Sequence, residues 1–358
     1  MGDRKAPGGR VYLSLAMVAL FFMFASIAPL LVPAKFARDS NAMLRAAEGV
    51  LHVDASFRVM ARLIDIFGYN VLTTIVIVGS AFVVLKLVAV PKTIETFAYA
   101  LISIAAAAPM WMVRPQKEVL VVILTTLCLF LIKHIKYASV SIACVVSLYC
   151  AYAHEAGRQY YYIIAFVFVF IYTISGWRVR SIFISLLLPF LAVFIMPRRL
   201  LIELNQVRNV LNYFTVLDGT VKTAFLNPEH SNTPLAFLLN YGYASVRLNF
   251  PIIFHPGLKE CFLTLFIMAW LRLLWGGFRS ASTVPRMAAC LILAHMTVSW
   301  IFEPDLGSYL RHMSSVVILI LPLIEALDNQ KLCQDRSLSF GRGGSIMPPP
   351  TLSLAFRS

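Results

Sequence analysis

The chain has 358 residues, 59% of them hydrophobic and 13% charged, with a mean hydropathy of +0.79. A soluble domain carries about a quarter charged and about half apolar residues, so an ordinary soluble enzyme is excluded in favour of an integral membrane protein. The formal net charge of +14 suits anionic lipid headgroups. Nucleic acid is set aside, because the basic residues form no continuous stripe and no nucleic-acid motif is present.

A helix needs roughly 20 apolar residues to cross about 30 Å of hydrocarbon. By that measure the sequence predicts about ten spans, near 11–33, 70–91, 95–113, 118–132, 137–153, 160–176, 181–196, 257–276, 286–302 and 308–326. The fourth to seventh are short, and a re-entrant path stays open for one of them. The first run has no trustworthy small-residue cleavage site after it and reads as an anchor. Arg4, Lys5 and Arg10 precede it. Lys86 and Lys92, Lys133 and Lys136, Arg178 and Arg180, and Arg279 and Arg286 then recur on alternate connections, and Lys331, Arg336 and Arg342 follow in the tail. This bias predicts a multi-pass protein of the cell inner membrane with both termini in the cytoplasm.

Two connections on the opposite, periplasmic side are long. In the first, about 34–69, Phe57, Met60, Ile64 and Phe67 recur at helical spacing with Arg58, Arg62 and Asp65 turned elsewhere, which predicts an amphipathic helix at the membrane interface. In the second, about 197–256, Leu204, Val207, Leu211 and Phe214 repeat that spacing, with Asn205, Arg208 and Asn212 displaced from the stripe. The turn-rich stretch from Asn227 to Pro234 follows. Leu235 to Phe254 is apolar but interrupted by Asn240, Gly242, Arg247, Asn249 and Pro251, as a re-entrant or partly buried helix would be. The expected fold is therefore all-α: one polytopic membrane domain, 1–327, with about ten transmembrane helices and two long periplasmic loops. A disordered cytoplasmic tail, 328–358, would complete it. The six cysteines show no metal-ligand spacing, so no structural disulfide, metal or cofactor is expected.

Charges beside the hydrocarbon core are costly unless they snorkel or have a task. On the outer side the inventory is Arg198, Arg199, Arg208, Lys222, His230, Arg247, His255, Glu303, Asp305, Arg311 and His312, with Arg114, His154 and Arg158 on short loops. Guanidinium groups bind phosphate oxygens bidentately, which makes Arg311, Arg247, Arg208, Arg198 and Arg199 candidates for a diphosphate. His312, Glu303 and Asp305 are candidates to take a proton from an attacking hydroxyl. The plainer reading makes Arg114, Arg158, Arg198 and Arg199 interfacial anchors and pairs Glu303 and Asp305 with Arg311. His295, inside an apolar run, reads as a hydrogen-bonding partner for a neighbouring helix.

The stretch Asp305-Leu306-Gly307-Ser308-Tyr309-Leu310-Arg311-His312, leading into an apolar final span, resembles the end of Wzy-type polysaccharide repeat-unit polymerases. Many members have Asn-Phe-Gly and a basic residue after Arg-His, where this chain has Asp305-Leu306-Gly307 and Met313. The resemblance implies a metal-independent, inverting glycosyltransferase of the periplasmic face. It would polymerise undecaprenyl-diphosphate-linked oligosaccharide units, with a flippase and a chain-length regulator as partners. Other readings are a flippase or transporter of lipid-linked glycans, a membrane acyltransferase modifying a polysaccharide, and a structural partner without chemistry.

Overall fold

The structure, a computed structural model, describes residues 8–31, 38–49, 55–175, 193–217, 223–230 and 233–342. Among them the regular structure is helical, with no strand. Helix α1 (Gly8–Leu31) lies along α4 (Tyr69–Ala89), and between them α2 (Arg38–Ala47) and α3 (Ala55–Phe67) pack as a short pair. Then come α5 (Ile94–Ala107), extended by a π-turn over Ala108–Met112, α6 (Glu118–His134), α7 (Ala138–Glu155) and α8 (Tyr160–Ser175). The second half holds α9 (Arg198–Leu217), α10 (Pro234–Asn249), α11 (Leu258–Phe278), α12 (Thr283–Phe302), α13 (Leu306–Ser315) and α14 (Leu321–Arg342). Helix α12 is the hub, packed on α8, α9, α10, α11, α13 and α14.

The expectation of about ten transmembrane helices is corrected. Among the described residues five helices are long and apolar enough to cross a membrane, at Val11–Leu31, Tyr69–Ala89, Ile94–Met112, Leu258–Phe278 and Thr283–Phe302. A sixth arises if Leu306–Ser315 and Val317–Gln334, bent by 61° at their junction, count as one broken span. The physical reasons are local. Helix α6 has 17 residues and α8 has 16, so each rises only about 25 Å. Helix α7 dilutes its apolar run with Ser139, Ser141, Ser147, Tyr149, Tyr152, His154 and Glu155. The run expected near 181–196 lies mostly outside the described residues.

The long apolar helices bear out a multi-pass membrane protein. Helix α1 leaves Leu15, Leu20, Met23, Ile27 and Leu30 exposed, as suits a helix whose neighbour is lipid. Lipid supplies little hydrophobic drive for helices to associate, so close approach matters more. Ala288, Ala289 and Ala294 on α12 are fully buried. A Cβ on Gly277 of α11 would stand 2.5 Å from Leu323 Cδ2, 3.0 Å from Ala289 Cβ and 3.2 Å from the Pro285 carbonyl oxygen.

In the first long connection, the expected helix is α3. Met60 and Ile64 are buried with Met43 of α2 and Leu72 of α4, Phe57 packs beside them, and Arg58, Arg62 and Asp65 are exposed. At the far end of the bundle, Lys331 pairs with Glu95, and Asp328 accepts from the Lys92 backbone N–H at 2.7 Å and from Thr96 Oγ1 at 2.9 Å. These bonds fasten α14 to the start of α5. Helix α14 continues to Arg342, so the first part of the expected tail is helical, and residues 343–358 lie outside the described ones.

Gly277→Val should destabilise the protein by about 1–3 kcal/mol through overpacking. Gly79→Val, where a Cβ meets nothing within 4 Å, should not. Thermal unfolding of the two purified variants in detergent checks the difference.

Candidate functional site

The site is built on the short connection between α12 and α13. The Glu303 N–H still bonds the Ser299 carbonyl at 2.8 Å, and Pro304, without an N–H, stops the helix there. Asp305 starts the next one: its Oδ1 accepts from the backbone N–H of Gly307 at 2.7 Å and of Ser308 at 3.0 Å. Its carboxylate is thus committed as an N-cap, and burial holds its pKa above the ordinary aspartate value. The ten-residue α13 then carries Arg311 and, at the start of its last turn, His312.

Arg311 is gripped from two sides. Its Nη1 donates to Asp39 Oδ2 at 2.5 Å, and its Nε lies 3.1 Å from Glu118 Oε1, close enough to pair but not aligned as a hydrogen bond. Lys117 Nζ stands 3.6 Å from the same Asp39 oxygen. Asp39 belongs to α2 and Glu118 opens α6, so a single guanidinium ties three distant segments. Burial pushes the Asp39 carboxyl upward, but Arg311 and Lys117 outweigh that and leave it below its usual value. Burial and the neighbouring Arg311 both lower Lys117. The partners anticipated for Arg311, Glu303 and Asp305, are bound elsewhere.

His312 Nδ1 pairs with Glu303 Oε1. Burial favours the neutral form of Glu303; His312 chiefly, with Ser308 and Arg311, reverses this and holds its pKa below the ordinary value. The other oxygen, Oε2, has no hydrogen bond among the described residues. The Tyr160 ring lies 6.1 Å from the imidazole, centre to centre. Tyr160 and Arg158 follow a tight turn at Gly157, whose φ of 63° demands glycine and whose Cβ would stand 2.8 Å from Ala55 Cβ on α3.

Arg208 lies beneath this connection, fully buried. Its Nε donates to the Glu303 carbonyl oxygen at 2.9 Å, Nη2 to those of Trp300 and, at 3.2 Å, Ile301, and Nη1 to Asn227 Oδ1 at 2.6 Å. The last carbonyls of a helix have no partner within it and carry its negative dipole end, so a guanidinium suits them. Burial lowers the Arg208 pKa to about 10, and the group stays cationic at neutral pH. Asn212, one turn on, donates to the carbonyl oxygens of Phe225 at 2.8 Å and Pro304 at 2.5 Å. Helix α9 is therefore pinned under the connection by polar bonds.

Arg311, His312, Glu303, Asp305 and Arg208 thus meet at one place. Arg247 sits among the Phe225, Phe254 and Tyr243 rings, with its Nη1 bonded to Tyr243 Oη at 2.5 Å and its Nη2 3.1 Å from His255 Nε2. Arg198 and Arg199 are exposed at the start of α9, about 15 Å along the helix from Arg208, and Arg199 pairs with Glu203 at 2.9 Å. His230 is exposed. His295 bonds a neighbouring helix as expected, its Nε2 2.7 Å from Tyr149 Oη. Sequence reasoning missed Asp39, Lys117, Glu118 and Tyr160. Only Glu118 left a signal, a carboxylate at the threshold of an apolar run.

No protein family, curated protein or solved structure matches the chain. The resemblance to Wzy-type polymerases is corrected as well. It rested on eight residues and on an architecture of about ten spans, and the chain has five, or up to six, candidate spans among its described residues. Polymerisation of lipid-linked repeat units falls with that architecture.

Arg311→Met would take from the buried Glu118 the guanidinium it pairs with, and stability should fall by about 3–5 kcal/mol. Arg311→Lys, which keeps charge but cannot reach both carboxylates, should fall between Met and the natural residue. Asp39 and Glu303 hold protons less readily folded than unfolded. Their contribution is complete above the ordinary carboxylate range near pH 4 and is lost as pH falls through their lower folded values. The melting temperature should therefore drop less steeply on acidification in Asp39→Asn than in the natural protein.

Proposed function

We propose that this protein is a multi-pass membrane enzyme that transfers a group onto a hydroxyl, with His312 as general base and Glu303 as the group that orients it. One observation carries this reading: the imidazole is tied through Nδ1 to a buried carboxylate whose own backbone is fixed by Arg208. A carboxylate on one ring nitrogen sets the tautomer, raises the basicity of the other and stabilises the imidazolium that forms. Nε2 makes no hydrogen bond among the described residues, and the His312 side chain is 16% exposed. It takes the hydroxyl proton while the oxygen bonds the donor carbon or phosphorus, and returns it to the departing group. Arg311 positions His312 through the backbone of α13 and is itself neutralised by Asp39 and Glu118.

Basic connections at the far end of the bundle, with Lys92, Lys133 and Arg279, support a cytoplasmic placement of that end and an outer placement of the site. An inner bacterial membrane is the setting that bias suits.

Mass spectrometry of lipid and glycan extracts from cells making the natural protein, His312→Ala, His312→Gln or Glu303→Gln tests this, with protein abundance followed in parallel. A product should vanish and its precursor accumulate in both His312 variants at unchanged abundance, with Glu303→Gln strongly reduced. Identical extracts from all four, or full rescue by Gln, would overturn the base assignment. Once the product is known, the purified reaction should keep its rate in EDTA.

A further inference from the structure

Helices α9 and α10 do not number among the candidate spans, yet the side each turns away from the protein is largely apolar, and the side turned inward includes polar groups held by hydrogen bonds. On α10 the exposed positions within the helix are Leu235, Leu239, Gly242 and Val246, all on one side and none charged. The buried side mixes Phe237, Ala244 and Leu248 with two polar groups: Asn240, which exchanges hydrogen bonds with the Glu229 backbone at 2.9 and 3.0 Å, and Asn249, which accepts from Tyr309 Oη at 2.8 Å. On α9 the buried side carries Arg208 and Asn212, and Val210 is 69% exposed with Val207, Tyr213 and Val216 beside it. The exposed side of α9 carries Arg198, Arg199, Glu203 and Gln206 beside Leu200 in its first turns. Among the described side chains the exposed ones from Val207 onward, Val207, Val210, Tyr213 and Val216, are uncharged and mostly apolar.

We infer that the outer face of α9 and α10 is bedded in the lipid of the membrane interface, with α9 entering obliquely at about Val207. Polar groups turned inward and apolar ones outward are what a helix needs when its surroundings cannot form hydrogen bonds. The exposed apolar residues of α1 and α4, two of the membrane-length helices, form a surface of the same kind. The passage from charged to apolar residues along one side of α9 follows the profile of a headgroup boundary, and Tyr213 is the type of side chain that settles there. Three further exposed apolar residues, Ile252, Ile253 and Leu258, follow α10 in the chain. The α12–α13 connection, behind these helices, then sits at headgroup depth.

Nitroxide labels on Val210→Cys, Leu239→Cys and Arg199→Cys test this in full-length protein reconstituted into phosphatidylcholine–phosphatidylglycerol bilayers. Cys144, Cys150, Cys261 and Cys333 are changed to serine, and the buried Cys128 and Cys290 remain. Relative to Arg199, the labels at 210 and 239 should collide several-fold more with oxygen and several-fold less with a water-soluble nickel chelate. Nickel access at 210 and 239 equal to that at 199 would overturn the inference in favour of water. Exclusion of both reagents with spin–spin broadening would overturn it in favour of a second copy. If the serine background fails to fold, benzoylphenylalanine at 210 and 239 of the natural chain should crosslink to lipid, and crosslinks to protein alone would count against it. None of these readouts needs activity, so the result stands apart from the role of His312.

Discussion

Arg311 is held between Asp39 and Glu118, and much of the outer end of the bundle depends on that grip. Each ion taken from water costs several kcal/mol, so a buried cation with a single partner would be a poor bargain. Two carboxylates and the nearby Lys117 balance the charge locally. The grip also fixes the α2–α3 pair to the bundle. That pair packs Met43, Met60 and Ile64 against Leu72 of α4, and Asp39 adds a tie to the start of α6 and to α13. Because Arg311 and His312 are adjacent on a ten-residue helix, clamping one restricts the other.

Arg208 does the corresponding work for the backbone. Three carbonyl oxygens at the end of α12 point at its guanidinium, and one of them belongs to Glu303. Leaving such groups without partners inside an apolar bundle costs about 1–3 kcal/mol each. The carboxylate that meets His312 therefore stands on a backbone held by a second arginine. Arg311 and Arg208, two of the five arginines expected to bind an anion, are taken up by protein partners, and at this connection Nε2 of His312 keeps its bonding capacity.

The sequence made some of this legible. Helical spacing located α3, and the polar interruptions of Leu235–Phe254 argued against a full span there, where the structure has the 16-residue α10. The charge cluster Glu303–His312 pointed to the connection on which the candidate site is built. The partners of Arg311 were not readable, because Asp39 lies 272 residues away and no periodicity records a contact of that kind. The number of spans was overestimated for a related reason. An apolar run in the sequence does not show how much of it the helix keeps: α6 and α8 are 17 and 16 residues long, short of a membrane-length helix although each leaves apolar side chains exposed. Asp305 illustrates a third limit. An acid three residues before a serine at the head of a helix is a cap signal as much as a catalytic one, and the bonds to Gly307 and Ser308 decide between them.

Amphipathic spacing on α9 also read correctly as a two-faced helix, but it carries no sign: the pattern separates Val207 from Arg208 without saying which faces the protein. In water the apolar face would turn inward. Here Arg208 and Asn212 turn inward because the end of α12 needs their donors, and Val210 is left outside. The polar demand of one helix terminus thus determines which side of a neighbouring helix faces out. The same inward turn raises the stakes at the site. With apolar side chains outside and a low dielectric behind them, the interaction between Glu303 and His312 is stronger than in water, and so is the penalty for leaving either without the other.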